Sequence, residues 1–264
     1  MNLQFLMISF LASLVLSCSK ETTNLDCLPF GLRDHVIAFY PFSNGSLDDF
    51  SGNGFSLVNP NDIATSIDRD GNNACAYAFQ GSSEQYLSRN GRFLDNFHKK
   101  PFSVSLWYKP IGDRDLGEYE FICGRISKKE VEVPNSFIEW AIALYDCRRA
   151  EFKLNRSSKW DNFHPIWDDT TITDNQCALE FAALSDVWHH LVVTFDGDEK
   201  HLYRNTISST TVDDGFRFGT MSRNLGDFFI GRGFQGNIDD IIIFDKVISQ
   251  DEVNQLFNLE SCCQ

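Results

Sequence analysis

The segment from Tyr40 to Gly54, YPFSNGSLDDFSGNG, concentrates more oxygen-bearing side chains than a turn requires. Within it, Asp48 to Asn53 reads Asp-Asp-Phe-Ser-Gly-Asn and offers carboxylate, hydroxyl and amide oxygens in immediate succession. Such oxygens either accept backbone N–H groups in Asx-type turns or act as ligands for a bound group. The residues by themselves leave both interpretations open.

A second candidate for binding chemistry is the stretch 159–169, KWDNFHPIWDD, which has no strand period. Large aromatic rings among carboxylates on a loop are typical of a ligand surface. Trp160 and Trp167 would stack on sugar rings, and Asp161, Asn162 and Arg149 would bond hydroxyl groups. The alternative is that this stretch folds back and buries its rings as a satellite cluster.

Short apolar runs separated by Gly, Asn and Asp clusters predict that the chain is mainly β. In Phe102–Tyr108, the residues Phe102, Val104, Leu106 and Tyr108 alternate with Ser103, Ser105 and Trp107 and so share one strand face. The other predicted strands are His35–Phe42, Ala74–Phe79, Tyr119–Ile126, Phe137–Tyr145, Glu151–Asn155, Trp188–Phe195, Lys200–Arg204, Asp227–Ile230 and Ile238–Phe244. Many short strands of this kind indicate an all-β, two-sheet antiparallel jelly-roll sandwich.

One helix stands out near the C-terminus. Ser249 and Glu252 have the spacing of a capping box, and Val253, Leu256 and Phe257 give the following turn an apolar face. The region 146–183 is the least regular part of the chain, and we expect it to be a long insertion.

The N-terminus predicts export. Residues 1–17 carry no charged side chain and form an apolar run shorter than the roughly 20 residues that a membrane-spanning helix needs, as in a secretory signal peptide. Val15-Leu16-Ser17-Cys18 resembles a bacterial lipobox, which implies lipid attachment at Cys18, a tether over 18–30 and one domain over 31–264. A plain secretory signal is the alternative, because no Lys or Arg precedes the apolar run.

Charge limits the classes of partner. The chain has a formal net charge of −14, which argues against binding to nucleic acid, since phosphates would be repelled. No later stretch is apolar enough to span a bilayer, so membrane contact is expected only through the lipid anchor.

The cysteine spacing argues against a zinc site and for disulfides in an oxidising compartment. Seven cysteines follow Cys18, an odd number that leaves one thiol free or paired outside the chain. Candidate pairs are Cys27 with Cys262 or Cys263, which would tie the two termini, and Cys147 with Cys177, which would staple the insertion.

Taken in order, these motifs make the chain resemble laminin-G-like, concanavalin-A-like jelly-roll domains of secreted bacterial proteins. The segments that carry the resemblance are Ala38–Phe42, Asp49–Gly54, Ala76–Ser83, Phe102–Pro110, Trp188–Gly197, Phe229–Arg232 and Gly236–Ile241. The fold that this implies is two antiparallel sheets packed face to face.

The resemblance also implies a structural Ca²⁺ that joins the loop after the first strand to the last strand. Its expected ligands are Asp49, Ser51, Asn53, a carbonyl of Gly81 and the carboxylate of Asp239. Strand alternation sends Asp239 and Asp240 to opposite faces, and the family motif favours Asp239. The competing interpretation is that Asp49 and Ser51 make only turn bonds and that Asp239 accepts backbone N–H groups.

No catalytic constellation is found in the sequence. Related endoglucanases carry Glu-x-Asp-x-x-Glu along one strand, and this chain has no such motif. Trp188-His189-His190 matches a family strand in which these residues pack and hydrogen-bond. We therefore expect a non-enzymatic binding or adhesion module for a glycan or a cell-surface protein, with oligomeric state undetermined. The alternatives are a structural or interaction subunit, in which Cys263 or another thiol links to a partner, and an atypical glycoside hydrolase.

Overall fold

A computed structural model of the chain describes residues 25–91, 93–94, 97, 100–112, 118–126, 138–145, 148–154, 161–162, 185–197, 199–209 and 226–263. The predicted signal peptide, the predicted lipid site at Cys18 and the cysteines Cys147 and Cys177 lie outside these residues. Predictions that concern them, including the domain boundaries, remain predictions.

Two antiparallel sheets and two short α-helices make up the described structure, which confirms the predicted jelly-roll sandwich. The eight-stranded sheet contains β1 (Val36–Tyr40), β2 (Thr65–Ser66), β3 (Ala76–Gln80), β5 (Phe102–Pro110), β10 (His189–Phe195), β11 (Lys200–Arg204), β12 (Ile207–Ser208) and β14 (Gln235–Phe244). The six-stranded sheet contains β4 (Leu87–Arg89), β6 (Glu120–Ile126), β7 (Ile138–Tyr145), β8 (Arg149–Leu154), β9 (Asp161–Asn162) and β13 (Phe228–Ile230). The two α-helices are α1 (Phe30–Arg33) and α2 (Gln250–Phe257), and a 3-10 turn spans Ser43–Gly45.

Strand order follows from pairings between distant segments. The eight-stranded sheet runs β12-β11-β10-β5-β14-β3-β2, and β1 also pairs with β14. The six-stranded sheet runs β4-β13-β6-β7-β8-β9. Strand β14 pairs with β3 through its first half and with β1 through its second half, so the last strand holds the first in place.

The main core lies between the sheets and is rich in aromatic rings. Phe102, Val104, Leu106 and Tyr108 are fully buried in it, which confirms the face predicted from their alternation. Trp140 is also fully buried there, packed near Phe97 and Phe228. Trp188 was expected to open a strand and pack within it. It instead precedes β10 and is only partly buried, with Lys109 Nζ 5.4 Å from its ring centroid.

A second apolar cluster covers the other face of the eight-stranded sheet. It joins Phe39, Val192 and Ile242 to Val253 and Leu256 of α2. Helix α2 begins with the predicted capping box, in which Ser249 accepts from the Glu252 backbone N–H and Glu252 accepts from the Ser249 backbone N–H. The helix therefore closes this face of the sheet.

Two disulfides attach the C-terminal residues to distant parts of the chain. Cys27 pairs with Cys262, one of the two alternatives left by the sequence, and Cys75 pairs with Cys263. Cys123 is free and buried. The hypothesis that Cys263 links to a partner protein is therefore wrong, because its sulfur is already bonded within the chain.

The expected alternation of Asp239 and Asp240 is also wrong. The pairing of β14 with β5 shifts register between Asp239 and Ile242, and Asp240 adopts a left-handed backbone with φ 44°. A bulge of this kind interrupts the two-residue period. Both carboxylates consequently reach the same arginine, Arg69.

None of the helices in the described part of the chain has the length and apolar composition that crossing a bilayer requires.

Candidate functional site

Among the predicted sugar-binding residues, Arg149 opens β8, while Asp161 and Asn162 form β9 beside it. The register places Asn162 opposite Glu151. Trp160 and Trp167 lie outside the described residues. The structure thus brings three of the five predicted residues to neighbouring strands of the six-stranded sheet.

Strand alternation decides which side chains leave the core at this sheet. In β8, Ala150, Phe152 and Leu154 enter the core cluster, so Arg149, Glu151 and Lys153 occupy the opposite face. The sequence carries this signal as a strict charged–apolar alternation, RAEFKL.

Aromatic rings lie beside these charged residues on the same face. Tyr119 stacks on Tyr145 with ring centroids 4.3 Å apart, and its ring lies 5.9 Å from that of Phe121. All three rings are partly buried. Tyr145 lies directly opposite Arg149 in the β7–β8 register. We call this set of five residues, Tyr119, Phe121, Tyr145, Arg149 and Glu151, the outer platform.

Between its aromatic and charged parts the platform has a floor of small residues. Phe121 pairs with Ala143, which in turn pairs with Glu151. In the next row Gly124 pairs with Ala141, and a Cβ on Gly124 would come within 2.6 Å of the Trp140 carbonyl oxygen. Only glycine fits this position, because any side chain would collide with backbone.

The charged part of the platform is unusually dry. Arg149 Nη2 lies 3.3 Å from Glu151 Oε1, with side-chain exposures of 13% and 3%. Lys153 follows on the same face and is 4% exposed. Side chains of this kind are rarely buried unless they are paired, and pairing holds them in defined positions. Of this pair Arg149, at 13% side-chain exposure, is the member open to a ligand, and Glu151 holds it in position.

Arg148 anchors the loops at this end of the sandwich. Its guanidinium donates to Glu120 Oε2 at 3.0 Å, to the carbonyls of Ile111 and Gly112, and to Ser185 Oγ at 2.9 Å. Glu120 lies between Tyr119 and Phe121, and its other oxygen accepts from the Gln235 N–H. This buried pair therefore fixes the strand end from which the platform rings project.

The predicted calcium ligands of the first loop are engaged with backbone. Asp49 Oδ1 accepts from the N–H groups of Phe39 and Ser51, and its Oδ2 accepts from that of Phe55, each at 3.0 Å. Ser51 Oγ donates to the Ile37 carbonyl, and Asn53 Nδ2 donates to the same carbonyl. These are the turn bonds of the alternative interpretation.

Asp239 lies in a different environment. Its Oδ2 accepts from Arg69 Nη1 at 3.0 Å, and the same nitrogen lies 2.5 Å from Asp240 Oδ2. Burial raises the pKa of both carboxyls, Asp239 well above its usual range, and the positive charge of Arg69 opposes that shift. A cationic side chain thus already balances the carboxylate expected to hold calcium.

These contacts do not assemble the five residues into one ligand set for a cation. The Gly81 N–H donates to the Phe234 carbonyl, a bond that does not involve the Gly81 carbonyl oxygen predicted as a ligand. Within the described residues, the one group of three potential metal-binding side chains is Asp68, Cys75 and Cys263, and both of these cysteines are disulfide-bonded. Calcium binding therefore stays a prediction, and these contacts do not support it.

His190 was expected to serve packing, and its environment agrees. Its Nε2 lies 2.8 Å from Ser105 Oγ, its ring lies 5.0 Å from that of Trp107, and both His190 and Ser105 are buried. A serine–histidine contact is also the start of a nucleophilic site. Here the adjoining cavity measures only about 10 Å³ and lies beside α2, which leaves room for one water but not for a sugar.

Comparison with known proteins assigns the chain to a family. The profile of the concanavalin A-like lectin/glucanases superfamily, laminin-G type 3, matches residues 79–254, two thirds of the chain. The chain belongs to this superfamily. A search of curated proteins found no match.

Solved structures similar to this concanavalin A-like chain include binding domains and an enzyme. The botulinum neurotoxin serotype D ligand-binding domain in complex with N-acetylneuraminic acid is 16% identical at TM-score 0.60, covering 86% of this chain and 51% of that chain. Domain 4 of AbnA, a GH43 extracellular arabinanase from Geobacillus stearothermophilus, in complex with arabinotriose, is 19% identical at TM-score 0.56, covering 85% and 98%. Trypanosoma rangeli sialidase is 12% identical at TM-score 0.58, covering 85% and 32%.

At these identities the likeness establishes the concanavalin A-like fold alone. The chain spans between a third and about half the length of the toxin and sialidase structures that it matches. Their titles name a toxin ligand-binding domain and a sialidase. The choice between binding and catalysis therefore depends on this chain's own residues.

Proposed function

We propose that this protein is an exported, non-catalytic carbohydrate-binding module whose ligand lies on the outer platform. The observation that carries the proposal is the stacked pair Tyr119–Tyr145 directly beside the ordered Arg149–Glu151 pair. Aromatic faces provide apolar contact for the C–H groups of a sugar ring, and the guanidinium of Arg149 can form strong hydrogen bonds with its hydroxyls.

The superfamily and its structural neighbours support a sugar as ligand, since two of the neighbours carry N-acetylneuraminic acid and arabinotriose. The two disulfides support export, because such bonds persist in oxidising compartments. Calcium is not part of this proposal, because Asp239 is paired with Arg69.

The non-catalytic part of the proposal rests on chemistry at the platform. A glycosidase needs one carboxylic acid and one carboxylate facing each other across the scissile bond. Here Glu151 is paired with Arg149, and Glu120 with Arg148. Both carboxylates are hydrogen-bonded to arginine and at most 3% exposed, so neither reaches a bound sugar.

A glycan array on the mature protein, with follow-up titration calorimetry, tests this assignment. We expect Tyr145→Ala and Arg149→Ala each to weaken glycan binding by ~10-fold or more, which corresponds to about 1.4 kcal/mol. Tyr86→Ala is the matched control, because Tyr86 also packs against an arginine, Arg232 at 5.3 Å, but lies outside the platform.

The variants separate the possible outcomes. Unchanged binding in both platform variants would move the ligand elsewhere on the molecule, and an equal loss in Tyr86→Ala would point to general destabilisation. Release of reducing sugar from a polysaccharide by the wild-type protein would contradict the non-catalytic assignment.

A further inference from the structure

The guanidinium of Arg69 lies at a point where three distant segments of the chain meet. Arg69 itself lies between β2 and β3. Its Nη1 contacts Asp239 Oδ2 at 3.0 Å and Asp240 Oδ2 at 2.5 Å, and its Nη2 donates to the Leu259 carbonyl at 3.1 Å. We call these four residues the Arg69 cluster.

The Arg69 cluster is shielded from water. The side chains of Arg69, Asp239 and Asp240 are 7%, 0% and 5% exposed. Charges buried to this degree are costly unless an opposite charge lies in contact with them. Without Arg69, two adjacent carboxylates would share one low-dielectric site and lose the cation that now contacts both of them.

An arginine suits this position better than a lysine would. The planar guanidinium contacts three oxygens through two of its nitrogens while lying over the Trp107 ring, 4.7 Å from the ring centroid. A compact ammonium group cannot make this set of contacts and stack at the same time.

The cluster also reaches the disulfide-bonded tail. Asp240 Oδ2 accepts from the Cys262 backbone N–H at 3.3 Å, and Leu259, the partner of Arg69, lies between α2 and Cys262. The neighbouring Asp70 accepts from the Ser261 N–H. Hence the same charged centre that joins β14 to the β2–β3 connection also holds the C-terminal segment.

We infer that Arg69 takes the place of a structural metal ion. The β2–β3 connection, strand β14 and the C-terminal tail are therefore held together without a divalent cation. The oxygen set around the guanidinium, two carboxylates and one carbonyl, is of the kind that Ca²⁺ prefers. Here a positive charge that belongs to the chain occupies it. This inference concerns stability and is independent of the proposed sugar site.

Thermal unfolding of the oxidised protein in EDTA and in millimolar calcium tests the inference. The wild-type Tm is expected to be the same in both solutions. Arg69→Met keeps an apolar stem over Trp107 but removes the charge, and we expect its Tm to fall by roughly 6–20 °C, as for a broken buried ion pair in a chain of this size.

A second variant separates charge from packing. In Arg69→Met/Asp240→Asn one of the two uncompensated carboxylates is neutral, so the double variant should melt above Arg69→Met. If it melts at or below Arg69→Met, the contribution of Arg69 is packing and the inference fails.

The third variant tests the vacated position directly. Arg69→Ala leaves space beside the two carboxylates and should melt higher in calcium than in EDTA, unlike the wild type. A wild-type Tm that falls in EDTA, or an Arg69→Ala Tm that ignores calcium, would overturn the inference.

Discussion

His190 is fully buried between Ser105 and Trp107, and this burial, together with the positive charge of Arg69, lowers its pKa to about 3. The side chain is therefore neutral in the folded protein at neutral pH. Its role is that of a packed hydrogen-bonding group on the face covered by α2. At the residue scale, a histidine that serves packing also makes the folded protein sensitive to acid.

The sign of that sensitivity follows from linkage. An unfolded histidine has a pKa near 6.5, so the unfolded chain binds this proton before the folded chain does. The stabilisation by neutral His190 is complete above about pH 6.5 and is lost as the pH falls toward 3. When the pH is lowered from 6.5 to 4.5, we expect the free energy of unfolding of the wild type to fall by about 2 kcal/mol more than that of His190→Gln. Urea titrations at the two pH values measure this, and parallel losses in both proteins would contradict it.

At the scale of elements, the turn between β13 and β14 depends on close approach of backbone to an aromatic ring. Gly231 has φ 82°, and a Cβ placed on it would lie 2.1 Å from Phe79 Cε1. Gly233, in the same turn, has φ 70° but a Cβ there would meet only the Tyr119 carbonyl at 3.6 Å. The two glycines therefore separate backbone strain from steric collision.

We expect Gly231→Ala to destabilise the protein by about 3 kcal/mol or more, since it adds a core collision to the unfavourable φ. Gly233→Ala should lower the free energy of unfolding by about 1 kcal/mol, because only the unfavourable positive φ acts at this position. Equilibrium denaturation gives both values. Equal losses would mean that Phe79 moves aside, and the packing argument would then be wrong.

At the scale of the whole molecule, the two disulfides converge on adjacent residues. Cys262 reaches Cys27 across a sequence separation of 235 residues, and Cys263 reaches Cys75 across 188. Once either bridge is formed, the C-terminal tail is already attached to the first part of the chain. The second bridge then closes a much shorter loop.

Removing one bridge, as Cys27→Ser/Cys262→Ser or Cys75→Ser/Cys263→Ser, should cost about 2–5 kcal/mol of unfolding free energy. Removing both bridges should lower the free energy of unfolding by more than the sum of the two single losses. In each single variant the remaining bridge still constrains most of the unfolded chain's entropy, and that constraint disappears only when both are removed. Denaturation of the four proteins measures this. Strict additivity would show that the bridges constrain independent parts of the unfolded chain.

Local patterns were enough to predict much of the fold. The alternation of Phe102, Val104, Leu106 and Tyr108 predicted a core face, and the spacing of Ser249 and Glu252 predicted the start of α2. These features depend on residues within a few positions of one another, so the periods of a strand and a helix turn reveal them directly.

The candidate site was only partly accessible in this way. Arg149 was predicted as a binding residue on the basis of its neighbours in sequence, whereas Tyr119 and Tyr145 were not. Their stacking requires the β6–β7 pairing, which brings together segments that the sequence separates. The charged alternation in β8 marked an outward face, but not which rings would lie beside it.

By itself the sequence determined the sandwich and the capped helix through short-range period and chemistry. The order of its motifs carried the resemblance to the family. Only the tertiary structure decided that Asp239 and Asp240 meet at Arg69. A bulge changed the face of one carboxylate, and an arginine about 170 residues earlier came within hydrogen-bonding distance of both. Register and long-range charge pairing depend on where strands end up in space, and no local pattern encodes that position.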